Sequence, residues 1–437
     1  MNNYISFKET RLEHIGSIPS EWKVKRLKYL TKVRKELSLE GKEELLSVSE
    51  FKGIIKRKDL IRSNENLSRS ENLVGYKVVY KGDLVNNIML VWKGGLGVSQ
   101  YDGIVSPAYS VFSFNKNCHP EYFNYLLKSD SYITEFTRNS KGIIMSRLRL
   151  YDDSFGGVFS HLPPLNEQKI IAIYLYKKTK QIDYLIETIR RKIDLLNEKR
   201  KTYINQYVTK GMGTFVEMKE SGSEFIGLIP KHWKIKKLAF LGKFSKGKNV
   251  SKSDLKETGI PVILYSEIYT KYNRIFNKAD SFINKDKSEN STKLSEKAFL
   301  FTSSGETIED IGKSLLYDGT DSIFVGGDII IFKLEENIDL EFLSFFLNSN
   351  QCRQFKASIS KGEIIVHIYE KQLREIKICI PPIKEQKQIV NFLKKYEKNI
   401  EKINNHEIKK INLLQEFRNS LISSVVTGKV RISQDMI

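Results

Sequence analysis

Two rhythms of apolar residues run along this chain, and the slower one is the clearer. From Leu165 to Lys210 there is neither proline nor glycine, and Ile182, Ile186, Ile189, Ile193 and Leu196 follow one another at spacings of 4, 3, 4 and 3. That is the stripe of a helix that packs along another helix. Arg200, Tyr203 and Tyr207 carry the same spacing onward with amphipathic side chains. The pattern predicts a helix from Asn166, read as its N-cap, with Glu167 in the first turn against the positive end of the helix dipole. Gly211 is its stop. A second helix is predicted up to Gly428, with its stripe at Ile400, Asn404, Glu407, Ile411, Leu414, Arg418, Leu421 and Val425. Lys384, at the place of Asn166, is a poor cap. Asn404 and Glu407 interrupt the stripe, so Ile403 and Ile408 are expected to turn into the seam. Each helix has about 40 residues, roughly 60 Å long, and needs a partner for its stripe.

The faster rhythm is that of short strands broken by glycine. It appears in "GYKVVYKGDLVNNIMLVW" (75–92) and "GIVSPAYSVFSF" (103–114), followed by the helical "HPEYFNYLLKSDSYITEFTRNS" and by "KGIIMSRLRL". The order returns in "AFLFTSSGET" (298–307), "SIFVGGDIIIFKL" (322–334), "DLEFLSFFLNSN" (339–350) and "SKGEIIVHIYEKQLREIKICI". These read as two divergent copies of one α+β domain.

What frames the copies repeats far more strictly. "HLPPLNEQKI" at His161 and "CIPPIKEQKQ" at Cys379 match at an offset of 218, which persists through Leu175 and Leu393 to Val208-Thr209 and Val426-Thr427. "IGSIPSEWKVKRLKYL" at Ile15 and "IGLIPKHWKIKKLAFL" at Ile226 match at an offset of 211. The chain is therefore a duplicated frame, 1–212 and 213–437, holding two unlike inserts. Duplicated units usually relate by a pseudo-two-fold axis, which predicts antiparallel helices forming a rod with an insert at each end.

Composition adds a partner. Seventy-two Lys and Arg against 52 Asp and Glu give +20 at neutral pH. A surplus that is not gathered into a tail points to a polyanion, although a lysine-rich proteome also produces it. Three cysteines without CxxC spacing fit reduced thiols. No signal peptide and no run of 18 apolar residues is visible, so a cytoplasmic protein is expected.

Catalytic motifs are missing. "NNIML" (86–90) lacks the prolines of an adenine methyltransferase, and "GGLG" (94–97) lacks GxGxxG spacing and reads as a turn. "HEIKK" has no second histidine. "GETIEDIGK" (305–313), with Glu306, Glu309, Asp310 and Lys313, resembles a nuclease loop only as any acidic loop before a lysine does.

With "IG.IP..W....L" opening and "PPL.EQ..I" plus a long helix closing each half, the chain resembles the specificity (S) subunit of type I restriction-modification systems over essentially its whole length. The resemblance implies an α+β chain of two globular target recognition domains joined by two long antiparallel helices in a coiled coil. The expected bounds are 1–165 and 213–383 for the domains, and 166–212 and 384–437 for the spacer helices. It implies that each domain reads one half of a bipartite double-stranded DNA site, while the helices set the spacing and bind two modification (methyltransferase) subunits. Restriction (translocase and endonuclease) subunits complete the complex. Catalysis is expected elsewhere, with S-adenosylmethionine, ATP and Mg on partner subunits and no cofactor here. A self-contained methyltransferase or nuclease, and a DNA-bridging coiled coil without partners, are the alternatives.

Candidate DNA contacts follow from residue type. Lys141 and Lys361 place a cation on a Ser-Lys-Gly turn, with Arg147 and His367 close behind. "YTKYNRIFNK" (269–278) interleaves aromatics with Lys271 and Arg274, and "VWKGGLGVSQYD" offers Lys93 and Gln100 on a glycine-rich loop. Ser303 and Ser304 join them. A solvated loop is the plain alternative for each, and a packing role the alternative for His367. Glu167, Gln168, Glu385 and Gln386 either cap the joint between domain and helix or grip a partner subunit.

Overall fold

The computed structural model describes residues 4–50, 53–59, 72–213, 215–305, 307–362 and 366–437. The chain divides into two units, the first made of residues 1–189 with 408–437 and the second of 190–407. The division therefore cuts both long helices rather than falling at their ends.

Those helices span Leu165–Lys210 and Ile383–Val426. Helix begins directly after the second proline, whose missing N–H costs nothing at a helix start. Pro164 offers its carbonyl to the Gln168 N–H at 3.1 Å, so it takes the cap position and Asn166 falls inside the first turn. The expected Asn166 cap is thus corrected. Gly211 and Gly428 close the helices at φ of +72° and +74°, where glycine carries no steric cost.

In the second unit the helices pair antiparallel. Lys192 meets Glu407 at 2.8 Å, Asn197 meets Asn404 at 3.1 Å, and the rings of Tyr207 and Phe392 lie 4.6 Å apart. The seam thus keeps Asn404 and Glu407, each facing a polar partner. Ile403 and Ile408 are exposed, so the expected rotation of these isoleucines into the seam does not occur. Polar pairs across a helix seam specify register, which an all-apolar stripe does weakly. In the first unit Arg418 forks onto Asp183 at 2.9 and 3.2 Å in the same antiparallel sense.

The largest sheet of each unit follows the same antiparallel plan. In the first the order is Thr31–Val33, Tyr109–Phe114, Leu84–Asn87, Leu96–Val98. In the second it is Gly242–Lys246, Ile329–Leu334, Ala298–Thr302, Ser314–Tyr317, with Ile275–Phe276 added in parallel at the edge. Behind it lie two short helices, Pro120–Leu127 and Asp130–Arg138 in the first unit, Leu340–Leu347 and Asn350–Ile359 in the second. The helical run expected as one piece in the first insert is broken at Ser129, and in the second unit a further helix follows the expected one after Ser349; each serine sits before the second helix of its pair. The two main cores use matching residues, with Trp22, Leu27, Ile171 and Leu175 in one and Trp233, Leu238, Ile389 and Leu393 in the other.

One position in the frame is strained in only one copy. Arg11 adopts φ +56°, and Gly222, 211 residues later, adopts +66°. A left-handed backbone costs a non-glycine residue about 1–2 kcal/mol. Arg11→Gly is therefore expected to raise stability by up to about 1 kcal/mol after the greater chain entropy of glycine is discounted. Urea denaturation reads this, and an unchanged or lower midpoint contradicts it. Among the described residues no helix is long and apolar enough to cross a membrane.

Candidate nucleic-acid interface

The repeated phrases meet to form a clasp. The opening strand Lys23–Arg26 pairs with Phe159–Leu162, and Lys234–Lys237 pairs with Lys377–Ile380. This brings the Trp22 indole N–H onto Glu167 Oε2 at 3.0 Å, and the Trp233 N–H onto Glu385 Oε2 at 3.1 Å. The Tyr4 hydroxyl also donates to Glu167, while His232 Nε2 reaches Glu385 at 2.9 Å. Burial, followed by that neighbouring carboxylate, holds the Tyr4 phenol well above its ordinary pKa.

Gln168 and Gln386 complete the joint from inside. Each is buried, donates Nε2 to the first proline carbonyl of its phrase at 2.8 Å, and accepts at 2.8 Å from the backbone N–H before the next helix, at His119 and Asp339. Of the two roles open to these four residues, the geometry supplies the joint. The buried glutamines present nothing to a partner, which corrects that expectation for Gln168 and Gln386.

The clasp holds a second joint in register. Lys141 and Arg149 exchange backbone hydrogen bonds at 2.9 Å in both directions, and Leu150 N–H donates to Ile88 O at 2.9 Å. In the second unit Lys361 and His367 exchange theirs at 3.0 and 2.7 Å, and Ile368 N–H donates to Ser303 O at 3.0 Å. The counterpart of His367 is therefore Arg149, which the sequence reading passed over, and not Arg147. The intervening loop is two residues longer in the first unit and hides the correspondence.

Around this joint the second unit gathers four expected residues. Ser304 Oγ lies 3.1 Å from His367 Nδ1, and the His367 ring stacks over Tyr369 at 6.4 Å. Ser303, Ser304 and His367 line a groove of about 460 Å³ with Lys246, Asp328 and Lys371. Ser303 itself is buried, with Oγ donating to Asp328 O at 2.8 Å, so it shapes the groove rather than reaching out of it. Lys361 is exposed beside it. In the first unit Lys141 and Arg147 are exposed, and between them Ile143 is wholly exposed with Ile144 and Met145 more than half so.

The other expected residues lie apart. Lys93 is exposed over the Trp92 ring at 4.9 Å, and Gln100 donates to Glu121 at 2.5 Å. Lys271 is tied to buried Glu267 at 2.6 Å and to Ser281 Oγ at 2.9 Å, which makes it a brace for a short helix. Arg274 is turned inward. Its Cζ lies over the Phe345 ring, 3.5 Å from the ring centre, and Nη2 reaches Glu397 at 3.2 Å. Neither is a free surface cation, contrary to expectation, because each is held by a carboxylate, Glu267 one helical turn before Lys271 and Glu397 brought to Arg274 by the fold. Of the acidic loop, Glu306 lies outside the described residues, and no cluster of three His, Cys, Asp or Glu able to hold a metal occurs among those described.

Relatives share this architecture. Residues 230–413 match the type I restriction modification DNA specificity domain. The MjaVIII type I restriction enzyme specificity subunit of Methanocaldococcus jannaschii is 26% identical over 448 residues, covering 98% of this chain and 96% of that one. The EcoKI specificity subunit of Escherichia coli is 23% identical over 342 residues, 75% of this chain and 68% of that one. A chain from a type I R-M system, solved for its complex assembly and conformational transition, superposes with a TM-score of 0.67 at 15% identity over 94% of this chain and 99% of that one. The HsdS subunit from Thermoanaerobacter tengcongensis does so at 0.53 with 14% identity, over 97% and 100%. Over nearly its whole length the chain is thus similar to type I restriction enzyme specificity subunits, and residues 230–413 carry the match to their DNA specificity domain.

Proposed function

We propose that each unit reads one half of a bipartite, gapped DNA target, and that the paired helices set the gap and carry two modification subunits. One observation supports this most directly. The frame keeps its clasp residues pairwise, Trp22 with Trp233 and Glu167-Gln168 with Glu385-Gln386, while equivalent positions at the joint it holds differ, Ile88 and Arg149 against Ser303 and His367. Identical frames with unlike contact residues are what two readers of different sequences require.

Base edges are read by few side chains, and phosphate contacts fix register. Ser304, Lys361 and His367 are proposed as readers in the second unit. In the first, Lys141, Arg147 and Arg149 take that part, with Ile143 and Met145 suited to thymine methyl groups. Modification subunits are assigned to exposed apolar positions on the helices, Tyr176, Tyr184, Leu195 and Phe417, since large exposed apolar side chains mark docking surfaces. On this reading the chain is non-catalytic. S-adenosylmethionine, ATP and Mg belong to the modification and restriction subunits.

The test is to co-express the chain with its modification subunits and map N6-methyladenine across the host genome. Exchanging residues 36–160 for those of a relative is expected to change one half of the methylated motif and to leave the other half and the gap intact. A simultaneous change in both halves contradicts two independent readers. Methylation by the chain alone returns the function to a self-contained enzyme.

A further inference from the structure

The second unit contains a groove of about 190 Å³ whose charge is left unbalanced. Arg200, Lys201, Arg274, Lys313 and Arg353 line it, against the single carboxylate of Glu397, which Arg274 already engages. Asp310, outside the lining, lies 3.7 Å from Arg353 and offsets one more. Two guanidinium nitrogens, Arg200 Nε and Arg274 Nη1, are buried with no hydrogen-bond partner among the described residues. An unpaired buried N–H of a cation costs more than a neutral one, and such groups are found where an anion or ordered water completes the site.

The frame does not require this surplus. At the place of Arg200, 218 residues on, Arg418 directs its guanidinium onto Asp183 in a two-pronged pair. The same helix position is thus neutralised in one copy and left open in the other. The rest of the lining agrees. Asn205, Asn273 and Asn348 add neutral polar groups, and burial lowers the pKa of both Arg274 and Lys313. One side chain reaches toward both places, since the Tyr269 hydroxyl donates to the carbonyl of Ser304, at the proposed reading joint, and approaches that of Asp310, the partner of Arg353.

We infer that this groove seats one backbone phosphate of the DNA whose half-site the second unit reads. A phosphodiester supplies two anionic oxygens with several lone pairs, which suits a site made of diverging guanidinium and ammonium donors. The inference rests on the DNA-reading function but assigns the groove to affinity rather than to sequence choice.

The test uses the full chain assembled with its modification subunits, and fluorescence anisotropy against two duplexes, one carrying the mapped target and one scrambled, over a series of KCl concentrations. Arg200→Gln, and separately Arg200→Gln with Lys201→Gln, avoid the more deeply packed Arg274. Each is expected to weaken both duplexes by a similar factor, about 3- to 10-fold. The slope of log affinity against log salt should fall by about 0.9, the value for one lost phosphate contact. The methylated motif should stay the same. An unchanged slope on both duplexes overturns the inference, and so does failure to assemble with modification subunits while the free chain binds DNA normally. That last outcome would assign the groove to an acidic protein segment. If the unaltered complex binds both duplexes equally, the recognition function fails, yet a reduced slope in the variants on scrambled DNA would still support the groove.

Discussion

Trp22→Ala is expected to lower the stability of the first unit by about 3–5 kcal/mol, the range for removing a fully buried tryptophan. Trp22 is wholly buried, its ring stacks on His161 at 5.3 Å, and its N–H is satisfied by Glu167. Gly428 at the end of the second long helix lies so close that an added Cβ would come within 2.9 Å of the indole. Truncation therefore leaves a cavity, leaves Glu167 with the Tyr4 hydroxyl but without the indole donor, and loosens the opening strand, the closing phrase and a helix end together. Trp233→Ala is expected to do the same in the second unit, where Gly211 approaches the indole. Glu167→Gln, which keeps shape and an acceptor, should cost only about 1–2 kcal/mol. Hydrogen exchange tells the outcomes apart. In Trp22→Ala, amides of residues 15–30 and 159–175 should lose protection while 226–241 keep theirs. Uniform protection in all three segments would mean that the clasp carries little of the frame's stability.

The second large effect is on acid stability, and it belongs to one copy. His161 is fully buried, with Nε2 2.7 Å from Val426 O and Nδ1 3.3 Å from the Tyr132 hydroxyl. Burial pushes its pKa from 6.5 down to about 4. Above pH 6.5 the ring is neutral both folded and unfolded, so it adds no pH dependence. Between pH 6.5 and 4 the unfolded chain takes a proton that the folded ring refuses, and stability falls as the pH drops. The full loss is about 3 kcal/mol at 1.36 kcal/mol per unit. The second unit has Cys379 at this position, a buried thiol whose pKa is pushed up to about 12. His161→Cys is therefore expected to remove the dependence. Urea unfolding of both proteins at intervals from pH 7.5 to 4.5 should show the advantage of the histidine form shrinking toward acid. A constant difference would show that the ring accepts a proton in place.

Much of this was legible in the chain. The 218-residue offset, the glycine-free stretches and the heptad stripe located both long helices to within a residue or two, because helix periodicity and termination depend on neighbours a few positions away. The common order of strands and helices in the two inserts was also legible. The errors share a cause. Arg274 and Lys271 looked like surface cations because their carboxylates, Glu397 and Glu267, are joined to them only by the fold or by a helical turn whose burial no pattern announces. Asn404 and Glu407 looked like defects because Asn197 and Lys192, which match them, stand on the other helix. Arg149 was missed because a loop of unequal length shifted the offset between the Ser-Lys-Gly turn and its partner strand.

The amino-acid sequence by itself determined that this is a duplicated frame with two unlike inserts, where each helix starts and stops, and which family the chain resembles. Such features rest on short-range periodicity and on residues repeated at constant spacing. Tertiary structure alone decided which polar side chains are spent inside the protein and which are left exposed at its surface. Hydrogen bonds and ion pairs select partners by distance in space, and in this chain the deciding partners, such as Trp22 and Glu167, are 145 residues apart.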